Sequence, residues 1–178
     1  MAKRFLYSNF ALVISTLLMG PLAFASSLQI DVTLTPAGSF KAQTKKVTGT
    51  VHRTADGIEA EDVTIDLKTL DTGIALRDKH TKDYLLVSKH PQAKLIKASG
   101  KDGKGTATIE IRGKKTEVAG TYKIEGKKVK VEFPMKLSDI EITGVRYMGV
   151  GVKDEVKVHL ELPLADAKRT AASVKKVK

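Results

Sequence analysis

The chain has 178 residues, with 31 Lys+Arg against 20 Asp+Glu, and no cysteine. Lacking cysteine excludes disulfides, thiolate metal sites, a cysteine nucleophile and a lipidated amino-terminal Cys. The fold must therefore be held by its apolar core, for which this length is sufficient.

The chain begins with the cationic Met1-Ala2-Lys3-Arg4, followed by Phe5-Leu6-Tyr7 and a weakly polar apolar stretch from Phe10 to Leu22. Ala23-Phe24-Ala25 then places small residues where a signal peptidase reads. This three-part pattern predicts a signal peptide over 1–25 and a mature chain from Ser26. Ser8, Asn9, Ser15, Thr16 and the Gly20-Pro21 break leave the apolar core short for a retained membrane anchor. Without Lys3 and Arg4 the surplus is still +9, because residues 1–25 hold no acidic residue. Such a surplus suits nucleic acid, an anionic membrane surface or plain solubility. Export argues against nucleic acid. The lysines are scattered over almost every apolar–polar run, which favours a solvated exterior, with transient contact at an anionic membrane surface left open.

From residue 28 the chain alternates apolar and polar residues with period two, the pattern of a strand with one dry and one wet face. Leu28, Ile30, Val32 and Leu34 form the first such set. Shorter runs cover Val47–Val51 and Ile58–Leu67. In the second of these the apolar parity changes at Glu61-Asp62, which predicts a β-bulge and a bent strand. Further runs follow at Ala93–Ala98, Ala107–Ile111, Val118–Ile124, Val129–Met135, Ile140–Val145 and Val156–Leu164. Ala55-Asp56-Gly57, Lys101-Asp102-Gly103, Arg112-Gly113-Lys114 and Glu125-Gly126-Lys127 are tight-turn signals between them. Connections this short predict antiparallel pairing.

Residues 71–90 interrupt the alternation. They open with Asp71-Thr72-Gly73, carry Ile74 and Leu85 among many charges, and stop before Pro91. A short helical segment near residues 73–86, lying across one end of the sheet, is expected. Ala165 to Lys178 has no period and five basic residues, so a disordered basic tail is expected over 165–178. Eight or nine one-sided strands in one domain make an all-β protein, either a closed barrel or a two-sheet sandwich. The inward positions are mostly Val, Ile and Leu, and the mature chain has no Trp. Few bulky fillers leave room for a slender guest in an eight-stranded barrel, although a collapsed aliphatic core gives the same pattern.

Enzyme signatures are absent: there is no Gly-x-Ser-x-Gly elbow, no His-Glu-x-x-His and no P-loop. Gly100-Lys101-Asp102-Gly103-Lys104-Gly105 is glycine- and lysine-rich but lacks the P-loop spacing, and reads as a hairpin turn. His52, His80, His90 and His159 show no two-ligand spacing beyond Asp78-x-His80, so no metal is expected.

Val63-Thr64-Ile65-Asp66-Leu67-Lys68-Thr69-Leu70-Asp71-Thr72-Gly73, then Arg77-Asp78-Lys79-His80, Tyr84-Leu85-Leu86 and Lys89-His90-Pro91, resembles the YceI family of periplasmic polyisoprenoid-binding proteins. Ile109-Glu110-Ile111-Arg112-Gly113-Lys114-Lys115-Thr116-Glu117-Val118 is similar to the family's hairpin, and Ile140-Glu141-Ile142 and Val152 to Val158 to its closing strands. The resemblance covers residues 28–164. It implies an antiparallel eight-stranded lipocalin-like barrel over 26–164, with a long apolar tunnel holding a polyisoprenoid or isoprenoid quinone and no other cofactor. Arg112 stands where the family hairpin has His, and Tyr84-Leu85 where it has a Phe-Phe pair, so lipid length and head group stay open.

On this reading the protein is a periplasmic lipid carrier without catalytic residues. The expected ligand lining is Leu67, Leu70, Tyr84, Leu85, Ile109, Ile111, Val131, Phe133, Ile140, Ile142, Tyr147 and Met148, with Gly144–Gly151 as a flap. Arg77, Asp78 and His80 either meet a head group at the mouth or form an ion pair with a capping His that pins the helix, the second being favoured. The alternative function is a filled barrel that binds envelope partners through its basic surface. A homodimer through a paired barrel edge is compatible with the strands but not required by them.

Overall fold

The computed structural model describes residues 26–166, so the leader expected over 1–25 and the tail from 167 onward lie outside the described residues. The strands are β1 (Ser27–Thr35), β2 (Ser39–Thr44), β3 (Val47–Thr48), β4 (Val51–Arg53), β5 (Ile58–Asp66), β6 (Gln92–Lys101), β7 (Lys104–Ile111), β8 (Lys114–Glu125), β9 (Lys128–Lys136), β10 (Arg146–Tyr147) and β11 (Val150–Ala165). One α-helix, α1 (Ala75–Tyr84), lies between β5 and β6, and single 3-10 turns occupy Leu67–Thr69 and Leu137–Ile140. Among the described residues no helix is long and apolar enough to cross a membrane.

Strands β4 to β9 pair in chain order, and β9 then pairs with β11 from Lys136↔Glu155 to Lys128↔Pro163. The ring closes through two parallel pairs, Leu164↔Val51 and Ala165↔His52. Seven strands, not the expected eight, therefore make the closed ring. The difference comes from the length of β11. Its sixteen residues let one edge take β4 at its carboxyl end and β1, from Ser27↔Glu161 to Thr35↔Gly151, farther back. At that second level β1 and β2 supply the wall, and β2 is tied back by the bridge Gln43↔Asp71.

The parity change in β5 is present and is shared with its neighbour. Asp62 has φ 55°, in the left-handed region, between the pairs Glu61↔Lys97 and Val63↔Leu95. On β6 the register against β7 slips across the same place, between Leu95 and Lys97. Both strands thus switch faces together, keeping Ala60, Val63, Ile65, Ala93 and Leu95 buried and adding local bend. The hairpins at Asp102-Gly103 and Arg112-Gly113 have positive φ at both positions, the geometry whose twist matches a two-residue β-hairpin. The strand expected at Ile140–Val145 is absent. Its alternation comes from the 3-10 turn, which ends on left-handed Glu141 and buries Ile140 and Ile142 on one side.

Among the described residues Leu67, Leu70, Ile140, Leu162, Val63 and Val129 are the most deeply buried large side chains, and Phe133 is the one aromatic residue in the buried core. The exterior carries cross-strand ion pairs such as Lys157–Glu132 and Lys130–Glu125. His159 lies 3.1 Å from Asp31 and 3.4 Å from Glu132. Exposed pairs of this kind contribute little to stability, but they place many of the lysines on a wet outer face.

Candidate functional site

The antiparallel path puts α1, both 3-10 turns and the β10–β11 hairpin at one end of the barrel, and the Asp102-Gly103 and Gly126-Lys127 turns at the other. At the helix-bearing end the barrel is stoppered. Leu67 and Leu70 come from the first 3-10 segment, Leu85 from the end of α1, Ile111 from β7, and Ile140 and Ile142 from the second 3-10 segment. All six are buried in one apolar cluster. Arg112 fastens this stopper from beneath, its guanidinium donating to the carbonyl of Ile140.

The interior behind the stopper is nearly filled. The cleft bounded by Val131 and Phe133, together with Leu95, Tyr122 and Leu160, has a volume of about 60 Å³. It is lined from all seven ring strands and is far smaller than the long axial tunnel expected from the family resemblance.

A larger apolar space lies outside the stopper, between α1 and the Val145–Val152 hairpin, floored by Leu34 and Phe40. Its volume is about 680 Å³, within the range of small-molecule binding sites. Of the six large hydrophobic side chains that are exposed among the described residues, five line it: Ile74, Leu76, Tyr84, Met148 and Val150. Met148 is 85% exposed and has φ 49°. A monomer rarely gathers its exposed apolar groups in one place without a binding role.

Helix α1 owes its position to its ends, since none of its own residues is buried. Leu70 anchors the chain before it, and Leu85 and Val87 anchor the chain after it. At its start the Thr72 backbone N–H and hydroxyl both donate to Asp78 Oδ1, at 2.7 and 2.6 Å. The hydroxyl bond, then the backbone bond, hold the Asp78 carboxyl below its ordinary pKa. In the first turn of the helix the Arg77 guanidinium lies 4.6 Å from the centre of the Phe40 ring. The Arg77–Asp78 ion pair expected to pin the helix is thus replaced by two separate contacts, an aspartate clasp and a cation–π contact. Arg77 Nε is buried without a hydrogen-bond partner. Arg77 and His80 line the apolar groove, whereas Asp78 faces Thr72.

The residues expected to line the ligand therefore fall into separate places. Leu67, Leu70, Leu85, Ile111, Ile140 and Ile142 form the stopper, and Ile109 packs against the core. Val131 and Phe133 border the inner cleft, and Tyr84 and Met148 border the outer groove. The Tyr147 side chain lies outside the described residues. Sequence reasoning missed Leu34, Phe40, Ile74, Leu76, Val145, Val150 and Val152 as groove residues. Ile74 and Leu76 were detectable as apolar side chains in an otherwise charged helical segment. The remaining five look like ordinary inward strand or loop positions.

The fold has counterparts among solved structures. BcnA of Burkholderia cenocepacia superposes with a TM-score of 0.61 at 19% identity, covering 76% of this chain and 94% of that one. A polyisoprenoid binding domain from Saccharophagus degradans, implicated in plant cell wall breakdown, superposes with a TM-score of 0.50 at 17% identity, covering 76% and 91%. No curated protein sequence gives a significant match. Residues 24–164 match the profile of the YceI-like domain. That span takes in all seven strands of the ring but for the last residue of β11, with α1 and both walls of the groove, and the chain accordingly belongs to the YceI-like family.

Proposed function

We propose that this protein is a non-enzymatic periplasmic carrier of a long apolar lipid of the polyisoprenoid or isoprenoid-quinone class. The observation that carries the reading is the gathering of five of the six large exposed hydrophobic side chains around one 680 Å³ groove. Burying a methylene stabilises a complex by about 0.8 kcal/mol, so ten buried methylenes supply about 8 kcal/mol before the cost of ordering. Affinity of this origin needs no chemistry from the protein. The polyisoprenoid-binding relative supports the ligand class. The cationic start, apolar stretch and Ala23-Phe24-Ala25 site support export.

The groove is the seat of the lipid chain in this reading. The stopper residues separate it from the barrel axis, and the inner cleft is too small for a polyprenyl chain. The near-filled interior favours one alternative, a barrel that binds envelope partners through its basic surface. Solvent extraction of the purified protein followed by mass spectrometry separates the two. Release of one hydrophobe per chain, with saturable uptake of a fluorescent prenyl probe, is the carrier's result. No extracted lipid and no uptake would leave the filled barrel.

A further inference from the structure

We infer that the lipid taken up by this groove carries an anionic head group, so that the natural ligand is an anionic amphiphile and not a neutral prenol or quinone. The inference rests on the lipid-binding reading and narrows its ligand class. The groove is apolar along most of its wall, and its polar members include two arginines. Arg77, His80 and Thr81 come from α1 and Arg146 from β10, and no carboxylate lines it. Asp78, the residue after Arg77 on the helix, accepts the Thr72 N–H and hydroxyl through Oδ1.

The Asp78 carboxylate feels the charge of Arg77 but makes no ion pair with it. No ion pair to Arg77 or Arg146 exists among the described residues. Arg77 instead stacks on Phe40, and its Nε is buried without a hydrogen-bond partner. A guanidinium held with one face on a ring keeps its edge donors free for a carboxylate or phosphate, which it can meet in a two-pronged contact. Arg77 and Phe40 also border a second, polar groove, lined by Lys41 and Lys45 and by Asp71 and Glu161. A head group at Arg77 would therefore sit where the apolar groove meets a wet, polar surface. Such a site suits an amphiphile, with its chain in the apolar part and its charge at the rim.

Isothermal titration of the purified protein against two matched pairs tests this: oleate with oleyl alcohol, and geranylgeranyl phosphate with geranylgeraniol. The anion of each pair should bind roughly ten-fold or more tightly than its alcohol. The two pairs distinguish a carboxylate from a phosphate source. In the R77Q/R146Q variant the anions should lose about ten-fold more affinity than the alcohols do, and raised salt should narrow the gap in the unaltered protein. Alcohols that bind as tightly as their anions would overturn the head-group inference and leave the lipid groove standing. Failure of all four to bind would overturn both. The comparison in the unaltered protein needs no variant, so a folding defect in R77Q/R146Q cannot mask the answer.

Discussion

The guanidinium of Arg77 on α1 rests on the ring of Phe40 on β2, 4.6 Å from its centre, and joins the first turn of the helix to the barrel wall. Replacing Phe40 by Leu keeps apolar bulk and removes the ring's negative face. A cation–π contact at a partly exposed site contributes about 0.5–1 kcal/mol. Amide exchange along α1 in Phe40→Leu should quicken by roughly two- to five-fold, while the melting temperature of the whole protein stays close to the original. Unchanged exchange in the helix would show that its buried flanks alone hold it.

The groove walls should be separable from the fold. Leu76 is 50% exposed and Met148 is 85% exposed, so neither contributes to the core. The double substitution Leu76→Glu, Met148→Glu should cost less than about 0.5 kcal/mol of stability. It should also weaken prenyl-probe uptake by at least about ten-fold, since charges would line the lipid's path. Thermal melting and fluorescence titration on the same samples read both.

The stopper should behave in the opposite way. Ile140 is fully buried, on the solvent-excluded side of the 3-10 turn. Ile140→Val removes one methylene and should destabilise the protein by about 0.5–1.5 kcal/mol, with probe affinity unchanged. A loss of affinity larger than the loss of stability would mean that the stopper residues touch the lipid and that the barrel end opens to receive it.

Gly49, between β3 and β4, is pressed against β5. A Cβ there would meet Val63 Cγ2 at 2.7 Å and Val63 Cα at 2.9 Å, and its φ of +130° is one that L side chains rarely adopt. Gly49→Ala should cost about 2–3 kcal/mol. The change should be visible as a lower denaturant midpoint with an unaltered slope.

Acid should release the start of α1 late. Asp78 has a carboxyl pKa lowered from 3.8 by its hydrogen bonds to Thr72. A lowered folded-state pKa means stabilisation that is complete above the unfolded value and lost as pH falls through the folded one. The clasp should therefore be intact at neutral pH and in mild acid, and fail only below about pH 3.8. Following the Thr72 amide by NMR through an acid titration checks this. In Asp78→Asn the acid step at that amide should disappear.

Much of the architecture was legible from residue order because period-two alternation is a local property. The parity change at Glu61-Asp62 announced the bend of β5, and Asp102-Gly103 and Arg112-Gly113 announced their hairpins. The seven-strand closure was not legible, since it rests on two parallel pairs, Leu164↔Val51 and Ala165↔His52, that leave no period in either segment. Nor could the pattern distinguish aliphatic side chains that surround a tunnel from those that meet. Ile111 and Ile142 alternate in the same way in either case, and it is their burial in one cluster with Leu67 and Leu70 that marks this end as closed. The Ile140–Val145 run misled for a related reason, as a 3-10 turn with a left-handed exit buries alternate residues just as a strand does.

The pairing of β11 has a consequence for how the molecule is made. This one strand is bonded to β1, β4 and β9, and it lies after all of them in the chain. A ribosome or a secretion pore releases the amino-terminal strands first, and these can form a curved ribbon from β4 to β9 but no cylinder. Both borders of that ribbon stay unsatisfied until the last strand arrives, which favours slow acquisition of structure after release and leaves the emerging chain open to chaperones that hold extended segments.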